Sequence, residues 1–93
     1  MSDARDLAET QLLFAPIEAI LMVVDQPVTA QQLAGVLNVS AEDIEHVLEA
    51  LSAQYAGRSG GREHGFELRR LGGGWRIYSA PRWESLVSQF IVG

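Results

Sequence analysis

The stretch "TAQQLAGVLNVSAEDIEHVLEALSAQYA", residues 29–56, decides the fold. It reads as two helices around one tight turn. Thr29 is a good N-cap, and Gln32 three positions on completes a capping box. Leu33, Val36 and Leu37 are then expected to face inward along a short helix. Asn38 suits the left-handed turn that follows. Ser40 caps the next helix, and Glu42 and Asp43 lie in its first turn, where the helix dipole favours negative charge. Ile44, Val47, Leu48, Leu51 and Tyr55 recur at helical spacing as its inner face, and Gly57 ends it.

The layout is that of a helix-turn-helix. In a DNA reader the second helix faces phosphates. Here it carries Glu42, Asp43, Glu45 and Glu49, with no Lys or Arg. The same charge runs through the front half of the chain. Residues 1–56 hold nine acids and one base, whereas residues 57–93 hold six arginines and three acids, for a net charge of -5. No lysine is present, so every cation has the planar fork that suits bidentate pairing.

Upstream, Ile17, Ile20, Leu21 and Val24 make one apolar stripe, predicting a helix from Leu12 or Pro16 to Asp25. "DQP" stops it, because the residue before Pro27 is pushed out of the helical region. Residues 1–11 are expected to be a flexible, solvated segment, with a winged domain over 12–93. Downstream, "GRSGGREHG" is an apolar-free connector. In "FELRRLGGGWRIYS" the side chains alternate with period two around three glycines, which predicts a hairpin. Phe66, Leu68, Trp75 and Ile77 would cover the helices; Glu67, Arg69 and Arg76 would face water. In "APRWESLVSQFIVG", Pro81 opens a last helix with Trp83, Leu86, Val87 and Phe90 on one stripe. The expected fold is mostly α with a small β-hairpin. It is a winged helix-turn-helix of three helices, a two-stranded wing and a closing helix.

Ninety-three residues, 47% of them apolar, suit one small domain with a single core. The absence of cysteine removes disulfides and thiolate sites and fits a reducing cytoplasm. The acidic N-terminus lacks the pattern of a signal peptide, and the run Leu12 to Val24 is too short and interrupted to span a bilayer. Glu42 and His46 are one turn apart but lack a third ligand, so the pair reads as a solvated helix face. Both glycine runs lead into strands rather than helix N-termini, so neither is a phosphate cradle. No nucleophile stands beside a base. No cofactor and no metal is expected.

Two surfaces remain. Helix one carries a surplus of apolar residues, Leu12, Phe14, Met22 and Val23, beyond what one core-facing stripe needs. Either a partner covers that face or the N-terminal segment folds back over it. A symmetric dimer would let one patch satisfy its own copy. The wing carries Arg69, Arg70 and Arg76 beside Trp75 and Tyr78, candidate contacts for a partner or for nucleic acid. Against the nucleic-acid reading, these arginines can lie over the sheet and pair with Glu67, Glu84 or the acidic helices.

The ordered set "PIEAILMVVDQPVTAQQLAGVLNVSAEDIEHVLEALSAQYA" (16–56) and "GFELRRLGGGWRIYSAPRWESLV" (65–87) resembles the N-terminal domain of the segregation and condensation protein B (ScpB) family. The resemblance covers about Pro16 to Val92. It implies a non-enzymatic, cytoplasmic, nucleoid-associated protein. The family has tandem winged-helix domains that dimerise and bind ScpA, the kleisin subunit of bacterial SMC condensin. It also implies that this chain holds the first of two such domains, the chiefly dimerising one, and is a fragment. Weak or absent nucleic-acid binding is expected, and no membrane contact. The rival expectation is a DNA-binding transcriptional regulator that reads through its basic wing.

Overall fold

A computed structural model describes residues 3–92. In chain order it holds α1 (Asp3–Val23), α2 (Ala30–Leu37), α3 (Ala41–Tyr55), β1 (Phe66–Leu71), β2 (Gly74–Ser79), a 3₁₀ turn (Pro81–Trp83) and α4 (Glu84–Val92). This is the expected winged arrangement.

The helix-turn-helix forms as its caps dictate. Thr29 Oγ1 accepts from the Gln32 amide at 3.1 Å, and Gln32 Oε1 accepts from the Thr29 amide at 2.8 Å. Asn38 adopts the left-handed conformation, φ 59°, and donates its amide to the Ala34 carbonyl. Ser40 Oγ accepts from the Asp43 amide at 3.1 Å. All of these partners lie within four residues of one another, so the turn is encoded locally. The inner face of α3, namely Ile44, Val47, Leu48, Leu51 and Tyr55, is buried as the spacing predicts. It meets Ile17 and Leu21 of α1, Leu33 of α2, and Leu68 and Trp75 of the wing in one core.

The wing is an antiparallel hairpin in which Leu68 faces Ile77, Arg70 faces Trp75 and Leu71 faces Gly74. Gly72 and Gly73 form its two-residue turn, both with positive φ (60° and 84°). That backbone matches the twist of a tight hairpin, and side chains rarely adopt it. Two further ties hold the wing. Ser52 Oγ of α3 donates to the Leu68 carbonyl at 3.0 Å. Val28, in the α1–α2 connection, exchanges both backbone hydrogen bonds with Trp75, at 2.9 and 2.6 Å. Gly74 permits that approach: a Cβ there would stand 2.7 Å from Pro27 Cβ.

Four expectations are corrected. Val36 of α2, expected to face inward, is 75% exposed. The first helix starts at Asp3 instead of at Leu12 or Pro16, and runs unbroken through Pro16 to Val23. Proline removes one amide donor, that to the Leu12 carbonyl, without diverting the chain. Phe66 is only partly covered: its ring sits at the sheet edge, 4.9 Å from the Tyr55 ring in an edge-to-face contact. The stripe of the closing helix finds no cover, with Leu86 and Phe90 59% and 88% exposed.

Candidate functional site

Because α1 continues through Pro16, its helical phase is fixed over its whole length. At 100° per residue, Phe14, Ile17 and Leu21 share one face, and Leu12, Ala15, Ala19, Met22 and Val23 share the opposite one. Burial follows this division. Ile17 and Leu21 are buried, while Leu12, Met22 and Val23 are 75%, 82% and 80% exposed. Phe14, expected on the spare face with them, instead packs against the core. Between Leu12 and Val23 the outer face of α1 therefore bears no charge and keeps two alanines, Ala15 and Ala19, at its centre. Small residues at that position let a second helix approach closely. The surplus of apolar residues hid these alanines; the i, i+4 small-residue spacing was the signal for them.

The wing arginines are divided among internal partners. Arg70 lies 3.6 Å from Glu45 of α3 and its guanidinium is 6.0 Å from the Trp75 ring centroid. Arg69 pairs with Glu67 at 3.8 Å and stands 5.3 Å over the Tyr78 ring. Arg76 covers the same ring at 5.5 Å. Three cations resting on their own sheet and helix are poorly placed to neutralise a phosphate track. On α3, Glu42, Asp43 and Glu49 stay exposed around the helix-turn-helix, a local field that repels phosphates.

A polar node joins the C-terminal turn of α3 to its surroundings. The Tyr55 hydroxyl donates to the Glu18 carboxylate of α1. Burial, and then the hydrogen bond and charge of Glu18, push the phenol above its ordinary pKa. His64 donates from Nδ1 to the Tyr55 carbonyl at 3.1 Å and packs against both Tyr55 and Phe66. Arg82 pairs with Glu63, so the glycine-rich connector is tied at its downstream end. Together these contacts fasten loop to helix. Among the described residues no three His, Asp or Glu side chains gather closely enough to hold a metal ion. Among the described residues no helix is long and apolar enough to cross a membrane.

The surfaces on offer are thus an uncharged helix face, an acidic helix and an uncovered terminal helix, the equipment of a protein binder. The family model for segregation and condensation complex subunit ScpB matches residues 15–93. The chain belongs to the ScpB family.

Solved ScpB structures are similar to it in the same way. The crystal structure of ScpB from Mycobacterium tuberculosis superposes with a TM-score of 0.80 at 29% identity, covering 89% of this chain and 49% of that one. The chain thus spans about half the length of that relative. A crystal structure of a dimer of an ScpB N-terminal domain complexed with an ScpA peptide gives 0.75 at 24% identity, covering 88% of this chain and 98% of that one. A conserved hypothetical protein from Chlorobium tepidum gives 0.72 at 21% identity, covering 90% and 51%. The last two likenesses speak for the fold. No curated protein matches the chain.

Proposed function

We propose that this ScpB-family chain is a non-enzymatic, dimerising subunit of a bacterial SMC–kleisin condensin complex, acting in chromosome condensation and segregation by protein–protein contact. The observation that carries the reading is the uncharged outer face of α1, built from Leu12, Ala15, Ala19, Met22 and Val23. A contiguous exposed apolar face on a small domain marks an association surface. A two-fold axis along it places the same residues on both subunits. The kleisin ScpA is the second partner, and SMC is reached through it. That a related N-terminal domain was crystallised as a dimer with an ScpA peptide supports both contacts. Residues 12–93 act as the first winged-helix unit of such a subunit, at the nucleoid in the cytoplasm. The DNA-regulator reading is disfavoured, because the wing cations Arg69, Arg70 and Arg76 are engaged internally and the second helix of the helix-turn-helix is acidic.

Co-elution with the ScpA kleisin of the same genome tests the proposal. The chain should enter one complex with ScpA and should not retard a DNA duplex at moderate salt. A chain that ignores ScpA and binds DNA with a steep salt slope is a regulator instead.

A further inference from the structure

The acidic second helix of the helix-turn-helix borders a cleft. A space of about 710 Å³ opens between the N-terminal half of α1 and the α2–α3 turn. Leu12 and Leu13 form one wall, Val39 and Val47 line the cleft, and Asp43 and His46 stand on the α3 rim. We infer that this cleft receives a helical segment of a protein partner, one with apolar anchors flanked by Lys or Arg. The inference deepens the proposed function by giving the chemistry and place of a partner contact, and it rests on that reading.

Three observations select this occupant. Leu12, Leu13, Val39 and Val47 line the cleft beside the polar Thr10, Asp43 and His46, so the entering segment must be amphipathic, as in helix-in-groove recognition. The rim is acidic and its charge is unspent. Among the described residues Arg70 takes Glu45, while no arginine pairs with Asp43 or with the neighbouring Glu42. A cation supplied by the partner would complete them, and complementary rim charge sets orientation and partner choice. Finally, a second copy of this chain does not fit the description. Its exposed apolar helices are α4, which has no Lys or Arg and whose flanking Arg82 is taken by Glu63, and α1, whose single arginine is Arg5, far from the Met22 end of its apolar face. Nucleic acid and anionic lipid are turned away by the same carboxylates.

The test uses the whole chain, labelled for NMR and titrated with overlapping peptides that tile the ScpA of the same genome. Two designed helical peptides with Leu at i, i+3 and i+7 are added, one flanked by Arg and the other by Glu. The Arg-flanked peptide and a Lys- or Arg-flanked ScpA segment should bind and shift the resonances of Val39, Asp43, His46 and Val47. Asp43→Arg should weaken both by about tenfold or more. Thr10→Arg, on the α1 wall and away from the α3 cap, should do the same. Circular dichroism confirms that each variant is folded.

If ScpA peptides bind but neither variant affects them, or if the Glu-flanked peptide binds as well as the Arg-flanked one, the cleft assignment is overturned while the proposed function stands. If the Arg-flanked peptide binds at the cleft and no part of ScpA does, the cleft assignment holds and the kleisin reading fails.

Discussion

Tyr55, at the end of α3, hydrogen-bonds through its hydroxyl to Glu18, in the middle of α1, across 37 positions of sequence. The contact closes the three-helix core at the edge where the wing begins. Tyr55→Phe keeps the ring and its packing against Phe66 but leaves Glu18 without that donor. It should cost about 1 kcal/mol in urea unfolding, since Glu18 is only partly buried and water recovers some of the loss.

The same pair gives a pH signature. Burial and Glu18 raise the folded phenol above its unfolded value. The stabilisation is fully present below the unfolded pKa of about 10 and is lost as pH rises from there toward the higher folded value. Between those two values the unfolded chain holds fewer protons than the native one, so stability falls with increasing pH. Wild type should lose stability on this alkaline limb more steeply than Tyr55→Phe; parallel limbs would rule out the linkage.

Gly74 tests the wing's attachment. A methyl group there collides with Pro27 Cβ, and with the backbone carbon of Pro27 at 3.2 Å. The Val28–Trp75 backbone pair must then part. Gly74→Ala should destabilise by about 1–3 kcal/mol, the usual range for overpacking. By contrast Gly35→Ala, where no atom lies within 4 Å, should be neutral or slightly stabilising in its helix.

Arg69 and Arg76 rest over Tyr78 on an exposed sheet face. The double variant Arg69→Ala, Arg76→Ala should fold normally, with an unfolding free energy within about 1 kcal/mol of wild type. Any residual DNA retention should be weak and vanish at moderate salt in both proteins. A saturable wild-type affinity that this variant abolishes would restore the regulator reading.

How far the sequence could be read depended on the distance between partners. Thr29 with Gln32, Asn38 with Ala34 and Ser40 with Asp43 are local pairs, so the helix-turn-helix could be read residue by residue. The wing was readable too, because its turn needs two consecutive positive-φ residues and Gly72 and Gly73 supply them. Contacts between remote segments were not readable. Nothing near Tyr55 in sequence announces Glu18, and nothing near Gly74 announces Pro27. Pro16 misled in a different way, since it suggested a helix start and so hid the phase that puts Phe14 in the core and Ala15 and Ala19 outside. The stripe on α4 shows a third limit: periodicity reports that one side of a helix is apolar, not whether the same domain covers it.

The proposed dimer joins two copies of the chain through the outer face of α1. Met22 lies on that face and is 82% exposed in the single chain. In a dimer a carboxylate there would be desolvated without a partner, at a cost of several kcal/mol. In a monomer it would be hydrated and harmless. Sedimentation equilibrium of wild type and Met22→Glu, with circular dichroism to confirm folding, separates the two. A dimeric wild type and a folded, monomeric Met22→Glu are predicted. A monomeric wild type, or a Met22→Glu protein that stays fully dimeric, would contradict the claim.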